Sequence, residues 1–224
     1  MSKKKEQKIL KKVKSDYNSI SDHFDLTRKH PWKEFEAFKP YLRDDIFIAD
    51  VGCGNGRFYE HLKDEGYKAD YLGIDNSEKL LEIAQKKHPE AKFILGELQN
   101  IPIEDHKVDL LVEIASFHHL PNKELRNKAL QEAYRVLVKG GIFIITTWNL
   151  FQKKYKKYIW KARLKSLFSH YSPRDTFIPW SDTGIDRYYY AFTPKELQKL
   201  IENNGFKILK SEVGRNIVFI CEKK

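Results

Sequence analysis

Cysteine is scarce: the chain holds two, Cys53 inside a glycine-rich run and Cys221 near its end. No C-x-x-C pair or Cys/His cluster is present, so a structural zinc site has no basis and no metal is expected. Such cysteine usage fits a reducing, cytoplasmic setting. No apolar run approaches the ~20 residues that span a bilayer, so no membrane partner is expected. Basic residues open the chain (Met1-Ser2-Lys3-Lys4-Lys5-Glu6), but no apolar stretch follows as in a secretory signal. Internal repeats and low-complexity linkers are also missing.

What is present suffices for one domain with additions. Of 224 residues, 41% are hydrophobic and 13% aromatic, enough for a sizeable core. Lys and Arg number 41 against 31 Asp and Glu, a net charge of +10 that favours polyanionic partners. The excess is concentrated. One cluster is Lys3-Lys4-Lys5, Lys8, Lys11, Lys12 and Lys14; the other is Lys153, Lys154, Lys156, Lys157, Lys161, Arg163 and Lys165. Either could hold RNA phosphates or be a plain solvated face.

The spacing of apolar residues divides the chain into four segments. Residues 1–45 read as a basic N-terminal arm with cap helices. Within them, 2–15 form a marginal helix or frayed arm, and Pro31 starts a helical spacing of Trp32, Phe35, Phe38 and Leu42. Residues 46–147 alternate strand and helix. Strands fall at Ile46–Asp50, Tyr71–Asp75, Lys92–Leu95, Val108–Val112 and Ile142–Thr147, and helices at 56–65, after Ser77, and at 123–138. Lys139-Gly140-Gly141 is expected to end the last helix. The segment 148–191 breaks the rhythm as a basic, aromatic insertion. Residues 192–224 then give a helix capped by Thr193 with Pro194 at its first position, followed by a hairpin around Gly214. Alternation with short links implies an α/β fold: a mostly parallel sheet with a terminal antiparallel hairpin and helices on both faces.

Asp50-Val51-Gly52-Cys53-Gly54-Asn55-Gly56 joins the first strand to a helix, the position where open α/β sheets bind ligands. Glycines let the backbone approach a ligand closely. A carboxylate at Asp50 suits a cationic amino group and opposes a pyrophosphate, which argues against NAD. Asp75, ending the second strand, can accept both ribose hydroxyls. With Gly96-Glu97-Leu98, Glu113 through Leu120, and Arg135-Val136-Leu137-Val138-Lys139-Gly140-Gly141, the pattern resembles the Rossmann-like class I methyltransferases with their seven-stranded sheet. The resemblance implies S-adenosyl-L-methionine as cofactor, held by Asp50, Gly52, Gly54, Gly56, Asp75, Asn76, Glu97, Leu98 and Glu113. His118 or His119 serves the site or simply caps a turn.

Two acceptor chemistries lack their residues. No Asn/Asp-Pro-Pro-aromatic segment follows the fourth strand, as methylation of exocyclic base nitrogens commonly requires. Neither cysteine is placed as a nucleophile toward a pyrimidine carbon. Ile20-Ser21-Asp22-His23-Phe24-Asp25-Leu26-Thr27-Arg28 with Pro31-Trp32, then Ile178-Pro179-Trp180, Arg187-Tyr188-Tyr189-Tyr190-Ala191-Phe192 and Glu196-Leu197, resemble segments of the tRNA wobble-uridine carboxymethyl methyltransferases. Trp148 and Gln152 fit as well. The match departs at Tyr190, where histidine is usual, and across 150–177. The resemblance implies esterification of a carboxymethyl group in a tRNA anticodon stem-loop, and brings a small activator protein as a candidate partner. Arg28 and Arg187 would clamp the carboxylate, with His118 beside them. Trp32, Trp148, Trp180, Tyr188 and Tyr189 would hold the base. A small-molecule carboxyl, O- or C-methyltransferase, or a non-catalytic scaffold, remain the alternatives.

Overall fold

Short β-rich runs with apolar residues on both sides of the pleat need cover on two faces, and the computed structural model, which describes residues 3–28, 32–180 and 183–224, supplies it. In chain order the elements are α1 (Lys3–Leu26), β1 (Phe47–Val51), α2 (Arg57–Asp64), β2 (Asp70–Asp75), α3 (Glu78–Lys87), β3 (Lys92–Leu95) and β4 (Val108–Ile114). There follow α4 (Lys123–Val136), β5 (Leu137–Trp148), α5 (Lys156–Leu167), β6 (Asp175–Pro179), β7 (Asp186–Tyr190), α6 (Pro194–Asn203), β8 (Phe206–Val213) and β9 (Asn216–Lys223). Seven strands form one sheet in the order β3-β2-β1-β4-β5-β9-β8. Its first five strands are parallel, and β8 and β9 pair antiparallel as the terminal hairpin. The α/β sheet with a closing hairpin is therefore as the sequence implies.

Alternate residues of the strands feed two cores. Ala49, Val51, Leu111, Phe143, Ile145 and Phe219 pack with α4 and α6 residues such as Leu130 and Leu197. Ile48, Leu110, Val112, Ile144 and Val218 pack on the other face with Phe58 and Leu62 of α2 and with Phe35 and Phe38. The strand order reverses between β1 and β4, which opens a crevice at their carboxyl ends. Among the described residues no helix is long and apolar enough to cross a membrane, and no group of three or more His, Cys, Asp or Glu could hold a metal. Both cysteines are buried and unbridged.

Three sequence expectations change. The basic N-terminal segment is no frayed arm. Its 24 residues form one helix that buries Ile9, Val13 and Ile20, and Lys14 pairs with Glu78 of α3. The thin apolar stripe of Ile9, Leu10 and Val13, legible in the sequence, packs on partners that lie far along the chain. Pro31 lies outside the described residues, and the segment after it makes two short 3-10 turns, at Lys33–Ala37 and Lys39–Tyr41, instead of an α-helix. Finally, α4 stops at Val136, before the glycines: Leu137 is already extended and pairs with Val108. Gly140, at φ 75°, instead makes the irregular turn where β5 shifts register against β4.

Candidate active site

The crevice is a cavity of about 1080 Å³, open mouth included, walled by the carboxyl ends of β1, β2 and β4, by α1, and by the β6–β7 hairpin. Its floor is the glycine loop. Gly52 sits at φ 84°, and a Cβ there would lie 2.3 Å from that of Ser116, so only glycine lets this loop pass the segment after β4. Ala115, on the opposite lip, also has positive φ (54°), a strained position that points its neighbours into the cavity. Asn55 donates to Asp25 (2.7 Å) and so docks the end of α1 onto the loop.

One half of the cavity is acidic. Asp75 accepts the backbone N–H of Gly54 and of Ser77, both at 2.9 Å, which fixes the loop to the start of α3. Asp50 accepts from Tyr71 Oη at 2.8 Å, while its other oxygen is buried without a partner. Burial pushes the Asp50 carboxyl up to about 7, partly opposed by that tyrosine. Asn76, Glu97, Leu98 and Gln99 complete this wall.

The other half is basic and aromatic. Arg187 is buried on β7, its guanidinium 4.2 Å from the Trp180 ring and 5.4 Å from that of Trp148. Arg28 lies 5.2 Å from the rings of both Phe24 and Trp180. Desolvation and the neighbouring Arg187 lower its affinity for a proton. A third cation joins them: Arg57, 4.6 Å from the Trp32 ring, is brought down to about 10 by burial and by Arg28. Among the described residues, no carboxylate lies within ion-pair distance of Arg28, Arg57 or Arg187. Converging guanidiniums with no ion-paired carboxylate among the described residues make a site for an anion.

Two histidines lie behind this half, and both are neutral. His118 Nδ1 accepts the backbone N–H of Trp148 at 3.2 Å, so its proton sits on Nε2, which is buried without a partner among the described residues. His119 shows the opposite tautomer. Its Nδ1 donates to the Tyr188 carbonyl (2.7 Å), and its Nε2 accepts from Tyr17 Oη (2.9 Å), which in turn accepts from Arg187 at 3.4 Å. Burial holds His119 at about 3 and His118 well below the usual histidine range.

Of the residues singled out in the sequence, Arg28, Trp32, Asp50, Gly52, Gly54, Asp75, Asn76, Glu97, Leu98, His118, Trp148, Arg187 and Tyr189 line the cavity together. Four do not. Gly56 is the N-cap of α2. Glu113 is not among the lining residues: it is fully buried with both oxygens unpartnered, on the Leu111 side of β4. Tyr188 faces the core because side chains alternate along β7, and its hydroxyl donates to Asp175 (2.7 Å). Trp180 supports the arginines from behind, its indole N–H bound to His23 Nδ1 at 2.7 Å. His119, the alternative to His118, lines it too, and so do Tyr17, Phe24, Asn55, Arg57 and Ser116, which had not been singled out for it. Arg57 had a signal, since it directly follows the glycine loop.

A methyltransferase-domain family model matches residues 49–145. The crystal structure of an S-adenosylmethionine-dependent methyltransferase from Methanosarcina mazei superposes with a TM-score of 0.73 at 23% identity, over 84% of this chain and 96% of that one. The methyltransferase solved with the Haloferax volcanii Trm112 activator gives 0.71 at 13% identity, over 94% and 96%. Residues 49–145 thus carry a methyltransferase domain, and the chain has the fold of the class I S-adenosylmethionine-dependent methyltransferases. Within that class it resembles the wobble-uridine family. It is 29% identical over 230 residues to the tRNA (carboxymethyluridine(34)-5-O)-methyltransferase of Schizosaccharomyces pombe, spanning 93% of this chain and 94% of that protein. Vertebrate and plant proteins of the same name match at 33–37% identity, and the chain covers 21–33% of their length.

The acidic half fits this cofactor. The unpartnered Asp50 oxygen suits an ammonium group, and Asp75 keeps lone pairs free for ribose hydroxyls. Leu80 and Leu98 offer apolar walls, and the loop at Gly52 leaves no side chain in the way.

Proposed function

We propose that the protein methylates the carboxylate of a carboxymethyl group on a wobble uridine of tRNA. The observation that carries this reading is the arginine pair Arg28 and Arg187, set among Phe24, Trp148, Trp180 and Tyr189 with no carboxylate partner among the described residues. When bound in the acidic half, S-adenosylmethionine supplies an electrophilic methyl group. A carboxylate is ionised at neutral pH, so no residue need remove a proton. The chain's task is orientation. Arg28 and Arg187 would grip the acid with charge-assisted bonds, and Tyr17, fixed by His119, holds Arg187 in place. His118 presents an Nε2–H donor and, being neutral, adds no charge. The rings of Trp148 and Tyr189, stacked at 4.9 Å, give the base a flat apolar bed. The name of the fission-yeast relative supports the acceptor. A small activator as partner belongs to the same reading, and co-purification with such a subunit tests it.

The decisive experiment uses tRNA bearing carboxymethyluridine and methyl-labelled cofactor. The expected product is an ester, so mild alkali should release the label as methanol. Arg187→Ala or Arg28→Ala should cut turnover by about a hundredfold, the scale for losing a charged contact made to the reacting group, with cofactor binding retained. Alkali-stable label, or transfer to tRNA lacking the carboxymethyl group, would count against an ester.

A further inference from the structure

Helix α5 carries apolar side chains on two opposite faces. Its inner face buries Ile159 and Ala162, with Ile159 in a small core of Leu150, Ile178, Tyr189 and Ala191. Its outer face bears Trp160, Leu164, Leu167 and, just past its end, Phe168, spaced i, i+4, i+7 and i+8. These four are 63%, 57%, 72% and 90% exposed, so water covers a stripe that an ordinary surface helix would fill with polar residues. Lys157, Lys161 and Lys165 run along one flank at i, i+4 and i+8, and Lys156 and Arg163 along the other. No acidic residue occurs from 149 to 174. Among the described residues none of the lysines or arginines of 153–165 joins an ion pair with a carboxylate. Lys157, Lys161 and Lys165 share a cleft with Asp175 and Asp186 without pairing to either, and Lys165 lies over the Tyr171 and Phe177 rings.

We infer that this outer face of α5 is a nucleic-acid platform that receives the tRNA beyond its target base. The inference rests on the tRNA reading above and extends it to a surface outside the cavity. Two observations select RNA as occupant. The first is charge: basic residues flank the stripe on both sides, which complements a polyanion. The second is continuity with the mouth of the active site. Tyr155, at the start of α5, stacks on Trp148 at 6.0 Å and 25°, and Trp148 stacks on Tyr189, so the helix leaves the mouth as an extension of the base-binding wall. Trp160 and Phe168 then offer free ring faces on which unstacked bases can lie, while the flanking lysines meet phosphates.

The test compares wild type with two exposed-surface variants, Trp160→Ala/Phe168→Ala and Lys157→Gln/Lys161→Gln, in binding of labelled full-length tRNA. The aromatic variant should weaken binding about tenfold, in the range of losing one or two stacked bases. The lysine variant should lower the slope of log affinity against log salt by about 1.4 to 1.8, two phosphate contacts' worth. Affinity for S-adenosylhomocysteine and kcat at saturating tRNA should stay as in wild type. If wild type binds tRNA with a clear salt dependence and both variants match it, the platform is overturned while the substrate reading stands. If wild type shows no salt-dependent tRNA binding, both fall. Sedimentation with phosphatidylserine vesicles that tRNA does not compete and both variants lose would assign the stripe to a lipid surface and overturn the RNA assignment.

Discussion

At the scale of single residues, Asp50 couples cofactor binding to pH. Its buried carboxyl, pushed up to about 7, stands far above the ordinary aspartate value of 3.8, chiefly because burial penalises the anion. The folded chain therefore holds this proton where the unfolded chain has lost it. The stability it contributes is full below pH ~4 and is lost as pH rises through about 7. An ammonium group placed against Asp50 reverses the preference and favours the anion. Binding should thus release a proton near pH 7, and affinity for S-adenosylhomocysteine should be about tenfold weaker at pH 6 than at pH 8. Calorimetry in two buffers of different ionisation enthalpy reads that proton directly, and Asp50→Asn should flatten the dependence. An affinity that is level from pH 6 to 8 in the wild type would remove Asp50 from the ammonium site. Asp50 and Asp75 were legible because loop, strand and acid are close in sequence. Tyr188 misled because one residue of strand register decides which ring meets the cavity, and that register comes from pairing with β6.

Among elements, α1 shows why the rest was hidden. Its Leu10, Val13, Tyr17 and Phe24 line the cavity, yet its sequence reads as a marginal lysine-rich helix because every partner is distant in the chain. Asn18 alone contacts three consecutive residues of the α3 entry. It accepts from Ser77 Oγ (2.7 Å) and the Lys79 N–H (3.3 Å), and donates to Glu78 (3.1 Å). Ser77 in turn caps α3 and donates its N–H to Asp75. The helix that closes the site is thereby fastened to the residue expected to hold the ribose. Replacing Asn18 by Ala should cost about 1–2 kcal/mol of stability, the usual range for a part-buried polar hub. It should also speed amide exchange through the second half of α1, and S-adenosylhomocysteine should slow that exchange in the wild type. Denaturant titration and exchange mass spectrometry check both, and unchanged values in each would make α1 a passive cover. The parallel strands β1, β2, β4 and β5, by contrast, were readable from local apolar runs, since both of their faces are buried.

Across the whole molecule, charge is sorted by depth and by side. Asp50, Asp75 and Glu97 occupy one end of the cavity, Arg28, Arg57 and Arg187 face them, and the remaining positive excess sits on α1 and on the α5 segment. A cationic methyl donor and an anionic acceptor are thereby drawn to adjoining halves of one crevice, each repelled from the other's place. The two ligands should therefore respond to salt in opposite degree. The cofactor is bound by a few buried groups that ions barely screen, so its dissociation constant should move less than about twofold between 50 and 200 mM salt. A tRNA held by four surface phosphate contacts should lose about a hundredfold over the same range, since each contact adds ~0.7–0.9 to the logarithmic slope. Parallel titrations of S-adenosylhomocysteine and tRNA on one preparation measure both slopes. Equal, shallow slopes would mean that the net charge of +10 is a solvated surface, and that the acceptor reaches the arginines without a polyanionic body behind it.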